Sequence, residues 1–169
     1  VNVVYSPLWA KGNNMNATAV LILGDKTWNE KALHLACALA KNHQLDLVLA
    51  TATPVIHPQM LGTDAGYILL PTEQRVMLRD MSTVAMEYNL PVITMHCQYA
   101  SWVSGLKSIA EQLGAAAFFV QPPVSSMAFW STWQTAWLRR QLYKQKCQLI
   151  TLDENGDLSD WVTSVTFAQ

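Results

Sequence analysis

Gly24-Asp25-Lys26-Thr27 is the short polar stretch of this chain best suited to contact a small anion or a ribose. Glycine lets backbone N–H groups close on a ligand, and the neighbouring carboxylate and ammonium can accept and donate hydrogen bonds. Thr53 and Gln121 also follow apolar runs, so Gly24, Asp25, Lys26, Thr53 and Gln121 form the candidate small-molecule site. A bland alternative is an ordinary strand-to-helix turn. Phosphate chemistry is poorly served, because neither G-x-x-x-x-G-K-[ST] nor G-x-G-x-x-G occurs. Beyond Gln121 the chain reads Pro122-Pro123-Val124, and proline supplies no N–H donor.

Other reactive residue types are present without the partners that chemistry needs. His96-Cys97 could in principle form a nucleophilic pair, but adjacent strand residues point to opposite faces, which predicts a buried Cys and a partly exposed His. His34, His43 and His57 have no partner at metal-ligand spacing, so no metal is expected. Asp153 to Asp157 begins like a calcium loop but lacks its glycine and final glutamate, and reads as a turn. Paired carboxylates for acid–base work and G-x-S-x-G are missing, so no catalytic residue is named. Trp130, Trp133 and Trp137 recur at i, i+3 and i+7, a stripe that is either core or a protein interface. Arg139, Arg140, Lys144 and Lys146 follow it and complement the negative end of a helix.

Positioning these residues requires alternating strands and helices. Apolar runs at residues 17–24, 45–51, 91–96, 115–121 and 147–152 predict five strands. Helical periodicity predicts helices over 29–43, 72–88 with Thr72 as cap, about 103–113 ending at a left-handed Gly114, and 126–145. The stretch between Pro54 and Thr72 is a long loop. Such alternation predicts an α/β fold: an open five-stranded parallel sheet with helices on both faces, Rossmann-like, whose ligands would sit beyond the carboxyl ends of the strands. Residues 1–16 read as an arm or linker, 17–152 as the domain, and 153–169 as a tail.

Composition narrows the function classes. Of 169 residues, 14% are charged and 51% hydrophobic, with a net charge of −1, which gives no field to hold a nucleic-acid backbone. The three cysteines are too scattered for a disulfide scaffold, so a cytoplasmic setting is expected. The longest apolar run, Ala115 to Val120, is far short of the ~20 residues a spanning helix needs. The chain opens with Val1 rather than Met, which raises the expectation of a piece of a longer protein.

Val20-Leu21-Ile22-Leu23, followed by Asn29-Glu30-Lys31-Ala32-Leu33 and Ala36 to Lys41, resembles the opening strand and "S-E-K-A-L … A-x-x-L-A" helix of the universal stress protein family. Ala110-Glu111-Gln112-Leu113-Gly114-Ala115 is similar to that family's approach to its fourth strand. The antenna domain of photolyases has a similar cadence at Leu90-Pro91-Val92 and Leu113-Gly114-Ala115. ATP-binding stress proteins carry G-x-x-G, nine residues, then G-[ST]; here Gln121 starts that loop and Thr135-Ala136 stands where Gly-Ser would. The family's first-strand Asp falls on Gly24, with Asp25 one place later.

The resemblance therefore implies the fold and a tendency to dimerise more than it implies ATP or AMP. The expected function is a non-enzymatic domain acting through dimerisation or contact with another protein, with Trp130, Trp133 and Trp137 as interface residues. It could serve as the cytosolic regulatory domain of a larger protein such as a membrane transporter. The rival expectation is an adenine-nucleotide or other small-molecule sensor with an atypical site.

Overall fold

The structure, a computed structural model, describes residues 3–4, 17–55, 71–122 and 128–152. The elements are β1 (Val3–Val4), β2 (Thr18–Ile22), α1 (Lys26–His43), β3 (Asp46–Pro54), α2 (Thr72–Glu87), β4 (Val92–Tyr99), α3 (Trp102–Gln112), β5 (Ala115–Phe119), α4 (Ala128–Tyr143) and β6 (Gln148–Ile150). They build one sheet in the order β1-β4-β3-β2-β5-β6. Its last five strands are mutually parallel, and β1 pairs antiparallel with the outer edge of β4, Val3 opposite Cys97 and Val4 opposite His96. The α/β architecture expected from the sequence is present, with one strand added. The arm expected to lie outside the sheet contributes that strand.

Alternation along each strand divides the core into two layers. Val20, Val48, Ala50, Met95, Cys97 and Phe118 face α3 and α4, which cover them with Leu106, Ile109, Leu138 and Leu142. Leu21, Leu47, Leu49 and Phe119 face α1 and α2 on the other side. Every residue of β2 is buried, as a central parallel strand covered by helices on both faces requires. The buried side of α1 carries Trp28 and Leu33 with the small side chains Ala32, Ala36, Cys37 and Ala40.

Element ends depart from the sequence expectation in instructive places. Helix α1 starts at Lys26, three residues earlier than Asn29, because the Asp25 carboxylate accepts a hydrogen bond from Trp28 N–H at 2.9 Å and caps it. Lys26 and Thr27 are therefore helical, and the polar loop shrinks to Gly24 and Asp25. Thr72 is the first helical residue of α2 rather than its cap; Pro71 holds the cap position. Gly114 does adopt the left-handed conformation expected of it, with φ of 58°, turning the chain from α3 into β5. The long loop, at residues 56–70, and the turn read at Asp153 to Asp157 lie outside the described residues.

Candidate functional site

Strand order reverses beside β2: β3 and β4 extend to one side of it, and β5 and β6 to the other. In an open parallel sheet the crevice at that reversal, beyond the carboxyl ends of the strands, is the natural ligand position. Gly24 and Asp25 leave β2 at this point, and Gln121 leaves β5. The two chain ends are stitched together. Asp25 N–H donates to Gln121 Oε1 at 2.9 Å, and Gln121 Nε2 donates back to Asp25 Oδ2. A Cβ on Gly24 would lie 2.1 Å from Gln121 Oε1 and 3.0 Å from Gln121 Cβ, so only glycine lets the carboxamide seat here.

Below this clasp, Asn29 fixes the turn. Its side chain is fully buried, accepts from Gly24 N–H at 2.8 Å and donates to the Gly24 carbonyl at 3.0 Å. Both backbone groups of the glycine are thereby satisfied by one amide. Asn29 Nδ2 also lies 3.0 Å from Met77 Sδ, tying the turn to α2.

Of the residues predicted for the site, the structure brings Gly24, Asp25 and Gln121 together. Lys26 stands exposed in the first turn of α1, and Thr53 is half-buried on β3, opposite Gln98 of β4. The Asp25 carboxylate sits at the α1 N-terminus, the place where a bound anion would draw on the helix dipole. The amide hydrogen bond from Trp28 and the one from Gln121 hold its pKa below the ordinary value of 3.8, against a smaller opposing effect of burial. This internal negative charge competes with a phosphate for the same donors.

No sequence-family model and no curated protein matches the chain. Solved structures do. A universal stress protein in complex with cAMP superposes with a TM-score of 0.60 at 15% identity, over 81% of this chain and 97% of its own. A universal stress protein family member from Burkholderia pseudomallei gives 0.56 at 14% identity, over 83% of this chain and 98% of its own. The Archaeoglobus fulgidus universal stress protein in complex with dAMP gives 0.54 at 11% identity, over 81% and 98%. The chain has the universal stress protein fold.

Within that universal stress protein fold, Asn29 is the site residue that sequence reasoning passed over. His96, expected to be partly exposed, is 4% exposed; Cys97 is buried as expected. The two do point to opposite faces: Cys97 joins the α3–α4 layer, while His96 Nδ1 shares a 2.8 Å hydrogen bond with Thr51 Oγ1. His96 Nε2 and Trp28 Nε1 are buried with no hydrogen-bond partner. Strand alternation could have placed His96 on the face of Thr94 and Gln98, but its burial depends on what covers that face. The thiols of Cys37, Cys97 and Cys147 are pushed up to about 11, 12 and 12 by burial, which keeps them protonated and unreactive at neutral pH. Among the described residues no cluster could hold a metal ion and no helix is long and apolar enough to cross a membrane.

The buried imidazole gives a pH prediction. Burial lowers the His96 pKa below 6.5, so the unfolded chain binds this proton more readily than the folded one. The resulting stability is complete above pH 6.5 and is lost as pH falls from 6.5 through the lowered folded value. Denaturant midpoints measured at pH 7.5 and pH 5.5 should therefore fall on acidification, and His96→Gln should fall distinctly less. An equal fall in both proteins would assign the acid sensitivity to other groups.

Proposed function

We propose that this chain is a non-enzymatic, universal-stress-protein-like domain of the cytoplasm that works through protein contact. It would do so as a homodimer or as the regulatory part of a larger protein such as a membrane transporter. The observation that carries this reading is the aromatic surface of α4. Trp133 and Trp137 are 48% and 42% exposed and stack on each other with centroids 5.8 Å apart and planes 22° from parallel. Tyr143, further along the helix, is 82% exposed. Two stacked, half-exposed indoles and an exposed tyrosine on one helix match the composition that marks protein interfaces. Trp130 belongs to the same helix, but its side chain lies outside the described residues. The strand-end crevice supports the same reading, since Asp25 and Gln121 spend their hydrogen bonds on each other.

Light scattering tests this directly. The wild-type chain is expected to self-associate, or to hold its partner, and Trp133→Ala with Trp137→Ala should abolish that while the fold persists. An unchanged assembly would overturn the reading.

A second reading keeps a small-molecule sensor. It is favoured by the neighbours bound to cAMP and dAMP and by the two unpartnered buried nitrogens of Trp28 and His96. Gly24, Asp25, Lys26, Thr53 and Gln121 would then line its entrance. A ligand at 100 times its dissociation constant adds about 2.7 kcal/mol of stability, so thermal melts with cAMP, AMP and ATP distinguish the two. No shift is expected for ATP, whose phosphates meet the Asp25 carboxylate and the donor-free Pro122.

A further inference from the structure

The two sides of the sheet end differently. On one side β6 has three residues, Gln148–Ile150, just after Lys144 and Lys146, and so short a strand beside lysines is a poor template for another chain. On the other side β4 has eight, Val92–Tyr99, about 26 Å of extended backbone. No Asp, Glu, Lys or Arg occurs between residues 88 and 106. Other devices that blunt an edge are missing too: Pro91 lies just outside the strand, and the β3–β4 register runs without a bulge from Val92 to Tyr99. Pairing with β3 uses half of the backbone N–H and C=O groups of β4, and the alternate half points outwards. Among the described residues only β1 meets that outer edge, opposite His96 and Cys97. Exposure follows the same boundary: Val92 and Ile93 are half-buried and Thr94 is exposed, whereas Met95 to Gln98 are buried.

We propose that the outer edge of β4 is a strand-acceptor site, on which an extended segment of a partner protein pairs antiparallel along Val92–Cys97 in place of β1. The direction is the one in which β1 already pairs. Length is the gain. β1 is a two-residue occupant on an eight-residue edge, and a strand pair that short is marginal by itself. A segment along Val92–Cys97 keeps the positions that β1 uses and adds Val92, Ile93, Thr94 and Met95. Backbone hydrogen bonds supply the affinity and are blind to sequence, so the side chains of the added strand set what is accepted. An ionised side chain there would find no counter-charge on β4 or its flanks, which selects an uncharged segment of β-branched or aromatic residues. β1 holds the edge closed until a longer strand replaces it. This contact lies on a different part of the molecule from the aromatic face of α4 and does not depend on it.

Amide hydrogen exchange of the full-length chain reads the occupancy of this edge. The probe is the hexapeptide Val1-Asn2-Val3-Val4-Tyr5-Ser6, blocked at both ends, because it carries the residues that pair with β4. Val4→Pro in the chain removes an N–H and fixes φ, which takes β1 off the edge. In that variant about 1 mM peptide is expected to slow exchange at the outward amides of Val92–Cys97 at least about fivefold; in the wild type the tethered arm competes at millimolar effective concentration and the effect is smaller. The peptide carrying Val4→Pro, or Asn2→Glu with Val4→Glu, should give no protection. Failure of the parent peptide to protect would overturn the proposal, as would equal protection by the proline or glutamate forms. If Val4→Pro does not fold, the wild-type chain with about 10 mM peptide carries the same comparison. A wild-type dimer that Val4→Pro dissociates would make a second copy's arm the occupant and overturn the assignment to a partner. Trp133→Ala with Trp137→Ala should leave the peptide's protection unchanged, so this site and the α4 surface can fail separately.

Discussion

Asn29→Leu is expected to destabilise the domain by about 3 kcal/mol, although leucine is close to asparagine in size and more apolar. The wild-type amide is the partner of both the N–H and the carbonyl of Gly24, at 2.8 Å and 3.0 Å. Leaving a buried backbone group without a partner costs about 1 to 3 kcal/mol, and two are lost together. At this chain length each kcal/mol moves the melting temperature by about 2 to 4 °C, so a fall of about 6 to 12 °C should be seen. The turn would also lose the geometry that presents Asp25 to Gln121, so the clasp across the crevice should loosen with it. Denaturant titration of the variant at neutral pH measures the loss; a cost below about 1 kcal/mol would mean that water takes over both bonds in the mutant.

Asn29 also illustrates what the sequence made legible. Strand and helix alternation is periodic over many residues, so the five parallel strands and four helices could be read from apolar spacing, and Gly114 from its place after a helix. The two-residue strand at Val3–Val4 carries no period, and it forms because β4 presents an open edge at His96 and Cys97. A buried asparagine looks in sequence like any polar residue at a helix start. Its role depends on Gly24 and Met77, the latter 48 residues away. Gln121 was singled out with Asp25 as a ligand contact, yet their proximity follows only from β2 and β5 being neighbours, 96 residues apart in the chain. The same residues that looked like a site thus serve one another.

The sharpest separation between core and surface should come from two aromatic truncations. Phe118→Ala is expected to cost about 3 to 5 kcal/mol, the range for deleting a fully enclosed phenyl ring. Phe118 is fully buried on β5, next to Val20 of β2 and Leu149 of β6, and packs in the layer closed by Leu106, Leu138 and Leu142. Residues on five strands and two helices meet in that layer, so the cavity cannot close by moving one side chain. Trp133 is larger, but about half of it already faces solvent, and truncating it removes less enclosed area and leaves no closed cavity, so Trp133→Ala should cost about 2 kcal/mol, clearly less than Phe118→Ala. Size alone would order the two variants the other way. Denaturation of both at equal pH and salt decides between enclosure and size. If Trp133→Ala costs as much as Phe118→Ala, the indole is core, and the contact surface on α4 would reduce to Trp137 and Tyr143.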